Sequence, residues 1–431
     1  MRALFAAHPT VGHTQALRAI AGELRARGHA TDFAISRVPK VPSFLPVPEA
    51  LRAGASLVEA MASEGLGLIT TPVSLTTALA AARIARTRGY DELEWACRLF
   101  TADALAAARV LLAHLKRVPT DVVVADYAFF GAWLAAEAAG VRHVAVFHSG
   151  LPFAAAGHPP FGSGLGEGST RAAWVEPQRR LDALVGRVDG WLGEARSGMG
   201  LPPAAPRVLA RPYATGLNVL TTFEAMELPR PELASRAAGP LLWAGPCLGA
   251  RVMSTADDFP WAALEGEKPV VYVSLGTVFN AQPALYRTLL EGVHRAGARA
   301  VVAAGASLEA VREVAKPDDV VQRFVPQVAL LPKVGAFISH GGNNSTNEAL
   351  RAGTPLVLVP FGGEQVSNAQ RAQSLGVATW LRVDALHAEQ VERAVRSALE
   401  PSRKQASRAL AARLPEGDGA VRVVEALLNL K

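Results

Sequence analysis

Residues 324–365 constrain the fold most tightly. A short β-branched apolar run, Ala336–Ser339, leads into His340-Gly341-Gly342-Asn343-Asn344 and a helix start at Ser345-Thr346-Asn347-Glu348. A second apolar strand at 356–359 follows, and then a loop ending in Glu364-Gln365. Strand, glycine turn, helix and strand make the unit of a parallel sheet, in which ligands meet the carboxyl ends of the strands. The helix N-terminus offers backbone N–H groups with no intrahelical partner and the positive end of the dipole. Gly341 and Gly342 let a bulky anion approach the backbone, and His340 adds a donor. The arrangement suits a ligand with a base, a diphosphate and a sugar. A plainer reading stays open. Ser345 and Glu348 have capping-box spacing and could do no more than finish the helix.

The same alternation runs along the rest of the chain. Residues 2–7 read as a buried strand and 14–27 as a helix, with Leu17, Ile20, Ala21 and Leu24 on one face. Gly28-His29 ends that helix, and 31–35 make a second strand. Residues 41–117 read as mostly helical, 121–125 as a buried strand, then a helix through Ala139 and a strand at 143–147. Residues 150–170 read as loop and 218–223 as the last strand of this half. Gly, Pro and Asp-Asp interrupt the pattern across 244–268, where a linker is expected. A second α/β unit begins at Val270, with strands near 270–275, 299–303, 319–324, 336–339 and 356–359, and 419–430 form a helical stripe. The expected class is α/β, with two doubly wound Rossmann-like domains.

Composition agrees with this plan and excludes several others. The 431 residues suffice for two domains, and 50% hydrophobic with 19% charged residues can bury a large core. Cys97 and Cys247 have no metal or redox spacing and fit a reducing cytoplasm. The net charge of +6 comes from scattered Lys and Arg, and the densest run, Arg83-Ile84-Ala85-Arg86-Thr87-Arg88, reads as a solvated helix face. Nucleic acid is therefore not an expected partner. The apolar part of the N-terminus is too short for a signal peptide, and no run long enough to span a bilayer occurs. A cytoplasmic protein without an integral membrane segment is expected.

Three separated motifs carry a family resemblance. They are Phe324-Val325-Pro326-Gln327, His340-Gly341-Gly342-Asn343-Asn344-Ser345-Thr346-Asn347-Glu348 and Glu364-Gln365-Val366-Ser367-Asn368-Ala369. In this order they resemble the nucleotide-sugar signature of the family 1 inverting glycosyltransferases, which have the GT-B fold. The chain has Phe324 where plant members have Trp, Lys333 where the family often has His and Asn343 in place of a Trp, and the last two departures place it nearer the bacterial natural-product and antibiotic enzymes. The resemblance implies that Phe324 stacks on uracil or thymine while Gln327 and the Val325 backbone read its edge. It implies that Glu348 holds the ribose, that His340, Gly342, Asn344 and Ser345 hold the diphosphate, and that Glu364 and Gln365 bind the sugar. Val273-Ser274-Leu275-Gly276-Thr277 resembles the family's first donor-domain strand, so Thr277 joins the phosphate site. Gln at position 365 accompanies glucose in plant members. The implied domains are an acceptor domain at 1–248, a donor domain at 249–410 and a helix at 411–431 crossing back to the first, with the two main domains facing a central cleft.

The candidate catalytic residues lie in the other half. His13, in Gly12-His13-Thr14, falls at the carboxyl end of the first strand and the start of a helix, where the dipole disfavours imidazolium and helps keep a base neutral. A base must also tolerate the proton it takes, and Asp126, ending Val-Val-Val-Ala-Asp, is the candidate partner. The family pairs a His with an Asp at these places, which implies one inverting displacement by an acceptor hydroxyl. Plainer alternatives are a loop histidine and a helix-capping aspartate. Residues 162–168, glycine at every second position, lack a preceding strand and read as a loop by the acceptor. His148 and His158 have no third ligand at zinc spacing, and with no Asp-x-Asp cluster no metal or other cofactor is expected beyond the UDP- or TDP-sugar co-substrate.

Apolar stretches supply candidate acceptor contacts at Phe44, Phe129, Phe147, His148 and Phe153. They suggest a small hydrophobic natural product, such as a polyketide or macrolide, as acceptor and glucose as the sugar. A carotenoid or lipid acceptor, a nucleotide-sugar epimerase and a non-catalytic donor-binding partner are the competing readings.

Overall fold

The computed structural model describes residues 1–37, 49–63, 66–84, 87, 89–153, 157–166, 168–203, 209, 211–228, 230, 232–249, 259–277 and 279–430. Phe44 lies outside them. The chain divides into two compact units, Met1–Gly249 with Gly417–Lys431, and Ala250–Glu416.

The first unit holds a sheet of seven strands: β1 (Arg2–Ala7), β2 (Ala30–Ser36), β3 (Gly67–Thr71), β4 (Val122–Asp126), β5 (Arg142–Phe147), β6 (Leu217–Leu220) and β7 (Leu241–Trp243). Their order is β3-β2-β1-β4-β5-β6-β7, and every pairing is parallel. A parallel sheet needs both faces covered, which explains why β4 is buried at every residue and β1 at all but its first. Leu17, Ile20 and Leu24 cover one face with Phe5 and Val124, while Leu111, Ala132 and Ala136 cover the other with Leu4 and Val123.

Three expectations need correction here. The stretch 41–117 contains β3, and 218–223 is not the last strand, because β7 pairs beyond β6. Both are short edge strands with few fully buried positions, so neither gives a strong strand signal. The first helix runs Val11–Ala26, three residues earlier than its apolar face suggests.

The chain's last segment completes this unit. Helix Gly419–Leu428 buries Val423, Val424 and Leu427 against Leu17 and Ile20. Asp418 caps it by accepting from Ala420 N at 2.9 Å, and also accepts from Leu248 N at 3.0 Å and Gly249 N at 2.7 Å. The preceding helix, Pro401–Ala411, belongs to the second unit.

The second unit holds β8 (Val270–Ser274), β9 (Arg299–Ala303), β10 (Val320–Gln322), β11 (Ala336–Ser339), β12 (Leu356–Leu358) and β13 (Ala378–Trp380). The order is β10-β9-β8-β11-β12-β13, again parallel throughout. The three-residue β13 is the strand the sequence pattern does not show. In each sheet the winding direction reverses beside the first strand, between β1 and β4 and between β8 and β11. Doubly wound sheets bind ligands at this reversal.

Candidate active site

In the first unit the reversal point carries three histidines and one carboxylate. Register Ala6↔Ala125 sets the ends of β1 and β4 level, and Asp126↔Val146 does the same for β4 and β5. His8 follows β1, His13 stands in the first turn of helix Val11–Ala26, Asp126 ends β4 and His148 follows β5. His13 Nδ1 lies 3.1 Å from Asp126 Oδ1, and His148 Nδ1 lies 2.5 Å from Oδ2. Oδ1 also accepts from Ala128 N at 2.9 Å, a turn contact that coexists with the histidine pair. The Asp126 side chain is 1% exposed. Burial alone would raise its pKa, but the charges and hydrogen bonds of His148 and His13 outweigh this and hold the carboxyl well below the usual carboxylate range.

His8 rests against Ala128 O, with Nε2 at 3.2 Å, and its ring lies 5.7 Å from that of His13. Burial, then His13, push its pKa down to about 4, so it stays neutral at pH 7. Phe100, from helix Gly89–Ala102, closes the group with ring centroids 5.1 Å from His8 and 5.3 Å from His13. His8 and Phe100 are not singled out by the sequence pattern. Nothing local marks them, because strand order brings them in.

The candidate acceptor residues separate. Phe147 is fully buried and stacks on Tyr127 at 4.8 Å; Phe153 packs edge-on against Phe147 at 6.0 Å. Phe129 is 3% exposed. All three are buried: Phe147 and Phe153 pack in the cover that a parallel sheet requires, and the Phe129 ring lies 4.9 Å from that of His8. His148 touches the Asp126 carboxylate itself. The three ligand-type side chains His13, Asp126 and His148 lie within 4.8 Å of one another. The 2.5 Å between His148 Nδ1 and Asp126 Oδ2 is nevertheless too short for two ligands of one ion; at metal–ligand distances near ~2.1 Å a tetrahedral ion separates them by roughly 3.3 Å. The spacing is that of an imidazole–carboxylate ion pair.

In the second unit the glycine turn follows β11. Helix Asn343–Ala352 begins with Gly342 as its N-cap and no side-chain cap, so Ser345 and Glu348 form no capping box. Their side chains turn to Gln327 instead, whose Nε2 donates to Glu348 Oε2 at 2.6 Å and to Ser345 Oγ at 3.2 Å. Buried Tyr272 donates to Gln327 Oε1 at 3.0 Å, which fixes the amide's orientation. Asn344 and Ser345 occupy the helix's first turn, where unpaired N–H groups collect.

His340 lies between two glycines. A Cβ on Gly276 would stand 2.6 Å from His340 Cε1, and one on Gly342 would stand 2.5 Å from Nε2. Burial pushes the His340 pKa down to about 4, so it is a neutral imidazole near pH 7. Asn368 Nδ2 donates to Gly341 O at 2.9 Å and holds the turn, whose Gly341 has φ +82°. Thr277 is exposed in the loop after β8. Phe324 is 72% exposed, which leaves a ring face open to solvent beside half-buried Val325. Glu364 and Gln365 open helix Gly363–Ser374. Gln365 Oε1 accepts from Phe361 N at 2.9 Å, which leaves its NH2 as the group to offer a ligand. Lys333 lies over the Trp261 ring at 5.6 Å, a packing role at one of the departures from the plant pattern.

Two parallel six- and seven-stranded sheets, one with a histidine–carboxylate pair and one with a glycine turn at a helix start, define the GT-B class of glycosyltransferase. Solved structures share this fold along the whole chain. The glycosyltransferase of kitacinnamycin superposes with TM-score 0.73 at 21% identity, covering 100% of this chain and 99% of that one. The calicheamicin glycosyltransferase gives TM-score 0.73 at 21% identity over 99% and 97%. The profile of the family described as UDP-glucoronosyl and UDP-glucosyl transferase matches residues 255–411. The 4'-demethylrebeccamycin synthase of Lentzea aerocolonigenes is 30% identical over 68% of this chain and 69% of its own length. The oleandomycin glycosyltransferase of Streptomyces antibioticus is 34% identical over 32% of each chain. The chain belongs to the UDP-glucuronosyl and UDP-glucosyl transferase family and is a nucleotide-sugar-dependent glycosyltransferase. Among the described residues no helix is long and apolar enough to cross a membrane.

Proposed function

We propose that the protein transfers a sugar, with glucose the first candidate, from a UDP- or TDP-sugar to a hydroxyl of a small hydrophobic natural product, with inversion and without a metal. The observation that carries the catalytic half is the His13–Asp126 pair at 3.1 Å, set where the first sheet reverses its winding. His13 takes the acceptor's proton as the oxygen attacks the anomeric carbon. The bond from that carbon to the diphosphate breaks, and the leaving group departs with its electron pair. Asp126, anionic and buried, stabilises the imidazolium as it forms.

The second unit supplies the donor half. Phe324 offers a stacking face, Glu348 and Gln327 read the ribose and base, and Glu364 with the Gln365 NH2 reads the sugar. The helix start at Asn343 and neutral His340 donate to the diphosphate and stabilise its departing charge. The natural-product acceptor is supported by the names of the antibiotic-pathway relatives and by the apolar surroundings of His13.

A panel of UDP- and TDP-sugars against hydrophobic aglycones, read by product mass, tests the reaction. Donor alone should remain unchanged, since conversion without acceptor would indicate an epimerase. His13→Ala should lower kcat by a factor on the order of a hundred or more, while UDP affinity by calorimetry stays at the wild-type value. Normal turnover of that variant would remove the base assignment.

A further inference from the structure

We propose that His148 is a positioning residue for the transfer reaction: it engages the second oxygen of Asp126 and so sets both the orientation and the charge that the carboxylate offers to His13. The proposal rests on the reading of His13 as base. Three observations carry it. Asp126 is held from two sides, with Oδ1 on Ala128 N and His13 and Oδ2 on His148 Nδ1 at 2.5 Å. The side chains concerned are 15% exposed at His13, 13% at His148 and 1% at Asp126, so water screens the array little. The His13 and His148 rings lie 3.9 Å apart, close enough that a proton on one opposes a proton on the other.

The consequence follows from charge sharing. One buried negative charge serves two imidazoles. A proton on His148 Nδ1 satisfies Oδ2, which keeps the carboxyl ionised and rotationally fixed, and it diminishes the field that Asp126 exerts on His13. His148 therefore lowers the basicity of His13 towards neutral pH, where a base works best. The other groups facing His13 are His8 from the end of β1, Phe100 from helix Gly89–Ala102, and Tyr127 beside His148 with ring centroids 5.4 Å apart. None of these brings an anion, so Asp126 sets the sign. Without His148, Asp126 couples to His13 alone, His13 holds its proton to higher pH, and the acid limb of kcat/KM moves up in pH.

The test uses the full-length protein as wild type, His148→Asn and His148→Leu. Asn replaces the Nδ1–H donor without a titrating ring; Leu removes the donor. Imidazole 15N NMR reads the His13 tautomer and titration with no acceptor needed. Expected is an Nδ1–H tautomer in wild type and His148→Asn, with the His13 titration moved up by roughly one pH unit in His148→Leu. With an aglycone that wild type glycosylates, His148→Leu should lose on the order of tenfold to a hundredfold in kcat at constant donor KM, and His148→Asn should recover most of it. An unchanged His13 titration in His148→Leu overturns the proposal. So does a His148→Asn variant as inactive as His13→Ala, which would make His148 the base. A fully active His13→Ala would instead overturn the reading beneath the proposal, which the NMR comparison does not depend on.

Discussion

A side-chain amide has two ends, and which end faces a ligand decides what it recognises. Gln327 is fixed in this respect by Tyr272, whose hydroxyl donates to Oε1 and leaves Nε2 on Glu348 and Ser345. Tyr272→Phe removes that constraint without opening a cavity. Donor KM should rise about two- to tenfold, the effect of one hydrogen bond of ~0.5–1.5 kcal/mol, with kcat unchanged. Steady-state kinetics with varied UDP-sugar checks this, and a change confined to kcat would place the network elsewhere in the reaction. His340 and Glu348 are legible in the sequence because they belong to one strand–turn–helix unit, and Gln327 because it closes the separate Phe324–Gln327 motif. Tyr272 and the pairing of His148 with Asp126 are not legible, because each contact joins elements far apart in sequence that no local pattern links.

At the scale of elements, the turn after β11 depends on what is missing from it. The His340 ring fills the space that Cβ atoms on Gly276 and Gly342 would need. Gly342→Ala should therefore displace His340 and raise donor KM on the order of tenfold or more, as small misplacements do in preorganised sites, with the melting temperature little changed. Gly342 sits at φ −61°, where alanine is unstrained, so the effect isolates the contact. The closing helix Gly419–Leu428 gives a stability counterpart. Leu427 is fully buried against the first unit, and Leu427→Ala should cost about 2–5 kcal/mol, read as an earlier urea transition for that unit. The amphipathic stripe at 419–430 announces this helix; the sheet it covers is decided by the tertiary fold. The edge strands β3, β7 and β13 show the opposite limit, being too short or too exposed for a periodic signal.

Across the whole molecule, buried histidines link stability to acid. His8 and His143 have folded-state pKa values lowered from 6.5 to about 4 and about 3 by burial. The unfolded chain takes up these protons as pH falls below about 6.5, while the folded chain does not, so stability is full above that pH and declines below it. Each histidine contributes up to about 1.4 kcal/mol per pH unit across its window. Asp126, with its pKa depressed, adds a further loss at still lower pH. Urea midpoints measured between pH 7.5 and 4.5 should fall steadily, and His143→Phe should flatten the slope; a level profile would contradict the burial of these rings as neutral groups.

By itself the sequence determined the two α/β halves, the glycine turn with its helix start, and the His13 and Asp126 candidates, because strand and helix periodicity and short motifs are written along the chain. Only the tertiary structure decided that His148 shares Asp126 and that Ser345 and Glu348 serve Gln327 rather than a cap. It also decided that Phe129, Phe147 and Phe153 are buried. Parallel pairing joins residues far apart in sequence, and its order and register follow from the burial of whole faces, which no local segment encodes.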